Sequence, residues 1–257
     1  MTLTDPASIA ALLGAALAAG FVDAVIGGGG LILIPALLLT FPTLPPATAL
    51  GTNKVAALAG TGAAAVLYAR KVPLPRVPVT VGAMIALACA AAGAAFAATL
   101  PPTVFRPFII VALLAVGTYV AVRRGFGTQH TETRMGAGPL ALAGLAVALI
   151  ASYDGLFGPG TGIFLIVALT SILGGDFLRS AAAAKALNAA TNVGALIMFA
   201  TSGHVLWALG FLAAVANVGG AALGSRLVLT RGTALIRVAL LVIVCVLTAK
   251  LAFDQFA

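Results

Sequence analysis

The sequence predicts an all-α polytopic membrane protein made of two inverted five-segment repeats, each interrupted by a broken or re-entrant Gly-rich helix. Three observations carry that prediction. The first is composition: 62% of the 257 residues are hydrophobic and 8% are charged, with a mean hydropathy of +1.18. A soluble domain carries about 25% charged residues, so this chain has no polar skin and lipid must cover most of its surface. The second is repetition. A shift of 131 residues lays Asp23 on Asp154, Gly27 on Gly158, Gly29 on Gly160 and Lys54 on Lys185. With only six acidic residues in the chain, a common offset for an Asp pair and a Lys pair marks an internal duplication. The third is the placement of basic residues, which sets the orientation of the copies.

The apolar segments fall at about 8–24, 25–41, 48–69, 77–99 and 104–122, and again at about 139–154, 156–173, 181–201, 205–223 and 233–252. Between the two sets, Arg123 to Gly138 is the one stretch that looks soluble. The first repeat is therefore 1–122, the cytoplasmic linker 123–138 and the second repeat 139–257. The N-terminus has no basic region ahead of its apolar stretch and no cleavage site, so the first segment is expected to be retained.

The first apolar stretch of each copy has an awkward length. Residues 8–41 as one helix would measure about 50 Å, against a hydrocarbon core of about 30 Å, and two full spans need roughly 40 residues. Gly27-Gly28-Gly29-Gly30 lies inside the first stretch, and Gly158-Pro159-Gly160-Thr161-Gly162 inside its counterpart. Gly and Pro disfavour a helix interior, so a break and a return of the chain are expected at both places. Irregular backbone at membrane depth survives only where protein buries it or it lines a wet cavity. The breaks therefore point to a site.

Counting the broken stretch as two segments gives the copies opposite orientations. With the N-terminus outside, Arg70, Lys71, Arg76, Arg123, Arg124, Arg134, Arg179, Arg226, Arg231 and Arg237 fall on the cytoplasmic side, and only Arg106 and Lys250 outside. Parallel copies would divide the charges evenly. The excess of Lys and Arg on one side favours the inverted five-plus-five plan, with both termini outside. The net charge of +8 then reports topology and implies no nucleic-acid partner. Inverted repeats with broken helices near the midplane are a recurring transporter plan.

Four groups of residues carry the candidate chemistry. Asp23 and Asp154 each lie four residues before the first glycine of a break, where a carboxylate either serves as a coupling group or caps free N–H groups of the broken backbone. Gly28, Gly29, Gly30, Pro159, Gly160 and Thr161 form the breaks themselves. Free N–H groups and the positive end of a helix dipole there make an anion site. Lys54 follows Asn53, while Lys185, Asn188 and Asn192 share one face of an otherwise apolar helix. A cation beside amides suits an oxyanion; the rival readings are snorkelling to the interface and interhelical hydrogen bonding. Thr52 and Thr61 add hydroxyls near Lys54. Cys89 and Cys245 read as small buried hydrophobes. His130 and His204 have no companions at ligand spacing, so neither a metal nor a cofactor is expected. No nucleophile comes with a base, which argues against an enzyme. Trp207 and Tyr68 read as interface anchors.

The segments GFVDAVIGGGGLILIPALLL and ALGTNKVAALAGTGAA resemble the first half of the TauE/SafE sulfite-exporter family, and GLFGPGTGIFLIVAL with AKALNAATNVGAL resembles its second half. The resemblance covers nearly the whole chain. It implies a bacterial inner-membrane permease, often an exporter, for sulfite, thiosulfate or organosulfonates. One departure is Ala183-Ala184-Lys185, where the commoner Gly-Thr-x-Lys wording would supply a hydroxyl.

Together these readings predict a secondary transporter that exports a small oxyanion, sulfite or a short organosulfonate such as sulfoacetate, by alternating access. An inside-negative potential of about 100 mV favours exit of a monoanion by about 2.3 kcal/mol. The alternatives are an anion channel, a cation transporter or proton-coupled uptake permease using Asp23 and Asp154, and a membrane partner without transport. The expected partners are a small anion and the lipid bilayer, with room for a homodimer.

Overall fold

The computed structural model describes residues 5–122, 136–174 and 177–231. Among them are nine helices: α1 (Pro6–Ile26), α2 (Gly30–Thr40), α3 (Pro46–Ala69), α4 (Arg76–Thr99), α5 (Pro102–Val122), α6 (Ala137–Leu156), α7 (Thr161–Leu173), α8 (Phe177–Thr201) and α9 (Trp207–Arg231). The predicted segment 233–252 lies outside the described residues. So do Cys245, Arg123, Arg124, His130, Arg134, Arg237 and Lys250. The last two positions assigned to the linker, Ala137 and Gly138, already belong to α6.

Five helices, α1, α4, α6, α8 and α9, are long and apolar enough to cross a membrane. Between α1 and α2, and between α6 and α7, the helix ends and restarts within a few residues, at the glycine clusters. Gly27 closes α1 in the left-handed region, with φ 86°, and its N–H donates to the Asp23 carbonyl at 2.8 Å. Gly158 has the same φ of 86°. A side chain in this region costs roughly 1–2 kcal/mol, so glycine is the residue that lets the chain turn. α2 has 11 residues and α7 has 13, about 16 and 20 Å at 1.5 Å per residue. Each is too short to span.

At the start of the chain, Asp5 caps α1, accepting from the Ser8 N–H at 3.2 Å and the Ser8 hydroxyl at 2.7 Å. Those bonds hold the Asp5 carboxyl below the usual carboxylate range. The cap is thus in place at neutral pH and is lost as pH falls through that lowered value.

The 131-residue shift recurs in the helix bounds. It carries the starts of α1, α2, α3 and α4 onto those of α6, α7, α8 and α9. The packing is reciprocal. α1 lies along α9, with Gly20 against Asn217 and Gly224 against Phe21; α6 lies along α4, with Gly155 against Ala90 and Gly144 against Ile85. In both pairs the residue numbers rise together, so the helices are parallel. α3 follows α9 in the same sense (Val55 by Gly210, Gly60 by Asn217), and α8 follows α4 (Leu187 by Gly82, Gly194 by Leu87). α3 and α8 run the other way past each other. Gly51 meets Phe199 and His204, while further along α3 Thr61 shares Asp23 with Lys185 of α8.

Small residues make these close crossings possible. A Cβ on Gly220 would overlap the Leu17 carbonyl oxygen of α1. Gly220→Val is expected to loosen the α1–α9 crossing at a cost of about 1–3 kcal/mol, read as a lowered midpoint in thermal unfolding of the detergent-solubilised protein.

Candidate substrate site at the helix breaks

The two breaks face each other. A Cβ on Gly162 would stand 2.5 Å from the Gly27 Cα, and one on Gly30 would stand 3.4 Å from the Pro159 Cα. The starts of α2 and α7 thus converge, and with them two positive helix ends. Gly28 and Gly29 complete the first break, Gly160 and Thr161 the second.

Each candidate lysine reaches across to the carboxylate of the other copy. Lys54 Nζ donates to Asp154 Oδ2 at 2.6 Å, and both side chains are 2% exposed. Lys185 Nζ lies 3.5 Å from Asp23 Oδ2 and also donates to the Asp23 main-chain carbonyl. Neither lysine snorkels: both are buried. An unpaired cation at such depth costs several kcal/mol, and the carboxylate opposite offsets that penalty.

Hydroxyls complete the carboxylate shells. Asp23 Oδ2 accepts from Thr61 at 3.0 Å, and Asp154 Oδ1 accepts from Thr161 at 2.6 Å. The Gly29 N–H lies 3.5 Å from Asp23 Oδ1, so the capping role anticipated for Asp23 is marginal and its ion pair dominates. The two pairs are not identical. The Asp154 pair is the shorter one and is buried on both sides, whereas the Asp23 side chain is 13% exposed.

The amides are less uniform. Asn53, Asn188 and Asn192 are all buried, but Asn188 Oδ1 accepts from Thr191 of its own helix at 3.2 Å. Thr52 does not face the lysines; its hydroxyl accepts from the Leu206 N–H at 3.0 Å, tying α3 to the loop before α9. His204, in that loop, pairs with Thr48 at 3.3 Å.

Tyr68 corrects a sequence expectation. It is fully buried rather than an interface anchor, and its hydroxyl donates to the Ala24 carbonyl at 3.0 Å. The last carbonyls of a helix lack intrahelical partners, and Tyr68 satisfies one where α1 breaks. Tyr153 does similar work at the second break, donating to the Pro159 carbonyl at 2.8 Å. Its ring also packs on Phe157 and Phe164. Trp207 stacks on Phe211 and is exposed at the first position of α9. Cys89 is half-buried rather than buried.

Asn217 had no signal in the repeat, since the 131-residue shift sets it on Ala86. It donates to the Ala16 carbonyl at 3.0 Å and sits against Gly20 and Gly60, joining α1, α3 and α9 around Asp23 and Thr61. A separate cavity of about 600 Å³ between α4, α6, α7 and α8 is lined mainly by apolar residues such as Val81, Val147, Leu169 and Leu187, and includes none of the paired lysines or carboxylates. Arg179 and Ser180 also line it.

Comparison with known proteins gives a consistent picture. A family model described as sulfite exporter TauE/SafE matches residues 12–251. The chain is 33% identical to the probable membrane transporter protein YfcA of Escherichia coli K12, over 98% of this chain and 93% of that one. It is 34% identical to a probable membrane transporter protein of Haemophilus influenzae, over 92% and 91%. It is 35% identical to the probable membrane transporter protein ORF9 of a Sinorhizobium species, over 96% and 93%. No solved structure shows a significant match.

Proposed function

The chain belongs to the sulfite exporter TauE/SafE family of membrane transporters, and from that premise we propose that it is a secondary transporter exporting a small oxyanion, sulfite or a short organosulfonate such as sulfoacetate. The observation that carries the reading is the pair of Lys–Asp bridges between the copies, set beside two converging positive helix ends. Cations, hydroxyls and helix starts around one point attract an anion of several acceptor oxygens. Glycine at the breaks lets such a ligand approach the backbone.

In this reading the copies are inverted and α2 and α7 are re-entrant. The support is directional: α1, α3 and α9 run one way, and α4, α6 and α8 the other, so each of these six helices opposes its 131-shifted counterpart. A two-fold axis relating the copies then lies in the membrane plane, as alternating access by rocking one copy against the other requires. The protein would sit in a bacterial inner membrane with its termini outside, by the distribution of Arg and Lys.

Binding stabilises the folded state by mass action, so a thermal-shift screen separates the candidate substrates. Sulfite, sulfate, thiosulfate, taurine and sulfoacetate are compared with divalent metals. Stabilisation by one of the anions supports the proposal; stabilisation by metals alone favours a cation transporter. In proteoliposomes the anion flux should saturate and fall at least tenfold in Lys54→Ala and Lys185→Ala. Full flux in the double variant would remove the lysines from the mechanism.

A further inference from the structure

We propose that the transported anion is accompanied by one proton, carried by the carboxylate that the anion displaces from its lysine. The inference rests on the oxyanion-transport reading and adds the co-transported ion to it. Its starting point is charge. The site contains two buried cations, Lys54 and Lys185, and two carboxylates, Asp154 and Asp23, paired across the copies. Without substrate the cluster is neutral. Adding a monoanion would leave it one charge negative inside a low-dielectric protein, where an uncompensated charge is strongly disfavoured.

An anion and a carboxylate want the same groups. The lysine ammonium and the threonine hydroxyl that would receive an oxyanion are already held by Asp23 or Asp154. Binding is therefore a displacement. A displaced carboxylate keeps neutrality by taking a proton from the aqueous side on which the anion enters, and the lysine changes counter-charge from carboxylate to substrate. On release, the proton leaves with the anion and the Lys–Asp pair re-forms. Both the empty and the loaded carrier are then neutral, so export runs on the gradients of anion and proton and not on the membrane potential that would drive a bare monoanion out.

The asymmetry of the pairs indicates which carboxylate yields first. Asp23 is the more exposed, its lysine lies 3.5 Å away, and that lysine is retained by the Asp23 carbonyl even without the carboxylate. The groups facing Asp23 are Thr61 of α3, Lys185 of α8 and the Gly29 N–H, with the titratable Tyr68 hydroxyl of α3 close by on the Ala24 carbonyl; α9, packed along α1, contributes the uncharged Asn217 against Gly20 and Gly60. Asp154 faces Lys54 of α3 and Thr161 of α7, with Tyr153 beside it in sequence. α4, behind it, contributes Ala90, Gly93 and Ala94 at the crossing with Gly155, and Cys89 next to them. The other charged side chains of α3, α4, α8 and α9 whose burial is described, Arg70 at the end of α3, Arg76, Arg179 and Arg226, are exposed.

The test uses the full chain in proteoliposomes with methanesulfonate, a monoanion across the neutral pH range, and with thiosulfate, a dianion that keeps one net charge with one proton and should therefore remain potential-driven, as a second probe. Proton movement is followed with a pH dye while a potassium-diffusion potential is imposed. One proton should move with each methanesulfonate, and its steady-state distribution should not respond to the potential. An uncoupled monoanion would instead redistribute about 50-fold at 100 mV. Because one proton is taken up with each anion bound, affinity for methanesulfonate measured at successive pH values should fall about tenfold per unit of rising pH. Asp23→Asn or Asp154→Asn should reduce proton movement and render the remaining flux potential-driven. Should those variants not fold, the wild-type proton count alone decides. Anion flux that follows the potential without protons overturns this proposal while leaving the transport reading intact; no flux of either anion, with none for sulfite, overturns both.

Discussion

Replacing Asp154 by Ala will destabilise the protein by about 3–5 kcal/mol, the range for removing one partner of a buried ion pair. The reason lies in Lys54. It is 2% exposed and its ammonium stands 2.6 Å from the Asp154 carboxylate, so the substitution strands a cation among apolar helices. Thr161 loses its carboxylate partner at the same time. The double variant Lys54→Met/Asp154→Leu removes both charges and is expected to recover most of the lost stability, since a well-packed apolar pair often replaces a buried ion pair without penalty. It should not recover transport. Equilibrium unfolding of the wild type, Lys54→Met, Asp154→Leu and the double variant gives the coupling directly; additive effects would mean that the pair contributes nothing to the fold.

The second large effect is at the meeting of the breaks. Gly27→Val puts a branched side chain where φ is 86° and where a Cβ already overlaps the Gly162 backbone. Strain in the left-handed region and the overlap act together, and about 3 kcal/mol or more should be lost. Gly162→Ala meets the same contact from the other side, with a Cβ 2.5 Å from the Gly27 Cα, without the dihedral penalty. It should be the milder of the two in stability. Both should abolish flux, because they push apart the two helix starts that form the site. Unaltered flux in Gly162→Ala would mean that the breaks need not meet.

Much of this site could be read from the residues. The length of the first apolar stretch and the glycine clusters located the breaks, and the structure ends α1 at Ile26 and restarts at Gly30. The 131-residue offset singled out Asp23, Asp154, Lys54 and Lys185. What the offset could not reveal is which residues touch, because it reports equivalence and not contact. The pairing of Lys54 on α3 with Asp154 near the end of α6 joins residues 100 apart in the chain, a tertiary property without a local signature. Tyr68 is ambiguous in the sequence for a related reason. A tyrosine near a helix end is amphipathic whether it meets lipid headgroups or a broken helix, and only the nearby Ala24 carbonyl decides between them. Asn217 escaped because its counterpart is Ala86, so the duplication that revealed the other polar groups concealed this one.

The paired lysines also change how an anion site should be pictured. They are not waiting cations. Each is neutralised by the other copy, which makes substrate binding an exchange of counter-charges and couples the site to the contact between the copies. A ligand that loosens a bridge across that contact alters the relative stability of the two orientations, which is what a carrier needs and a static pore does not.

Counterflow in proteoliposomes tests that account most directly. Vesicles loaded with excess unlabelled sulfite and diluted into trace labelled sulfite should accumulate label transiently above equilibrium, with saturation by external sulfite and loss of the effect in Lys54→Met/Asp154→Leu. Sulfite movement that stays linear with concentration and shows no overshoot, or an overshoot undiminished in the double variant, would contradict it.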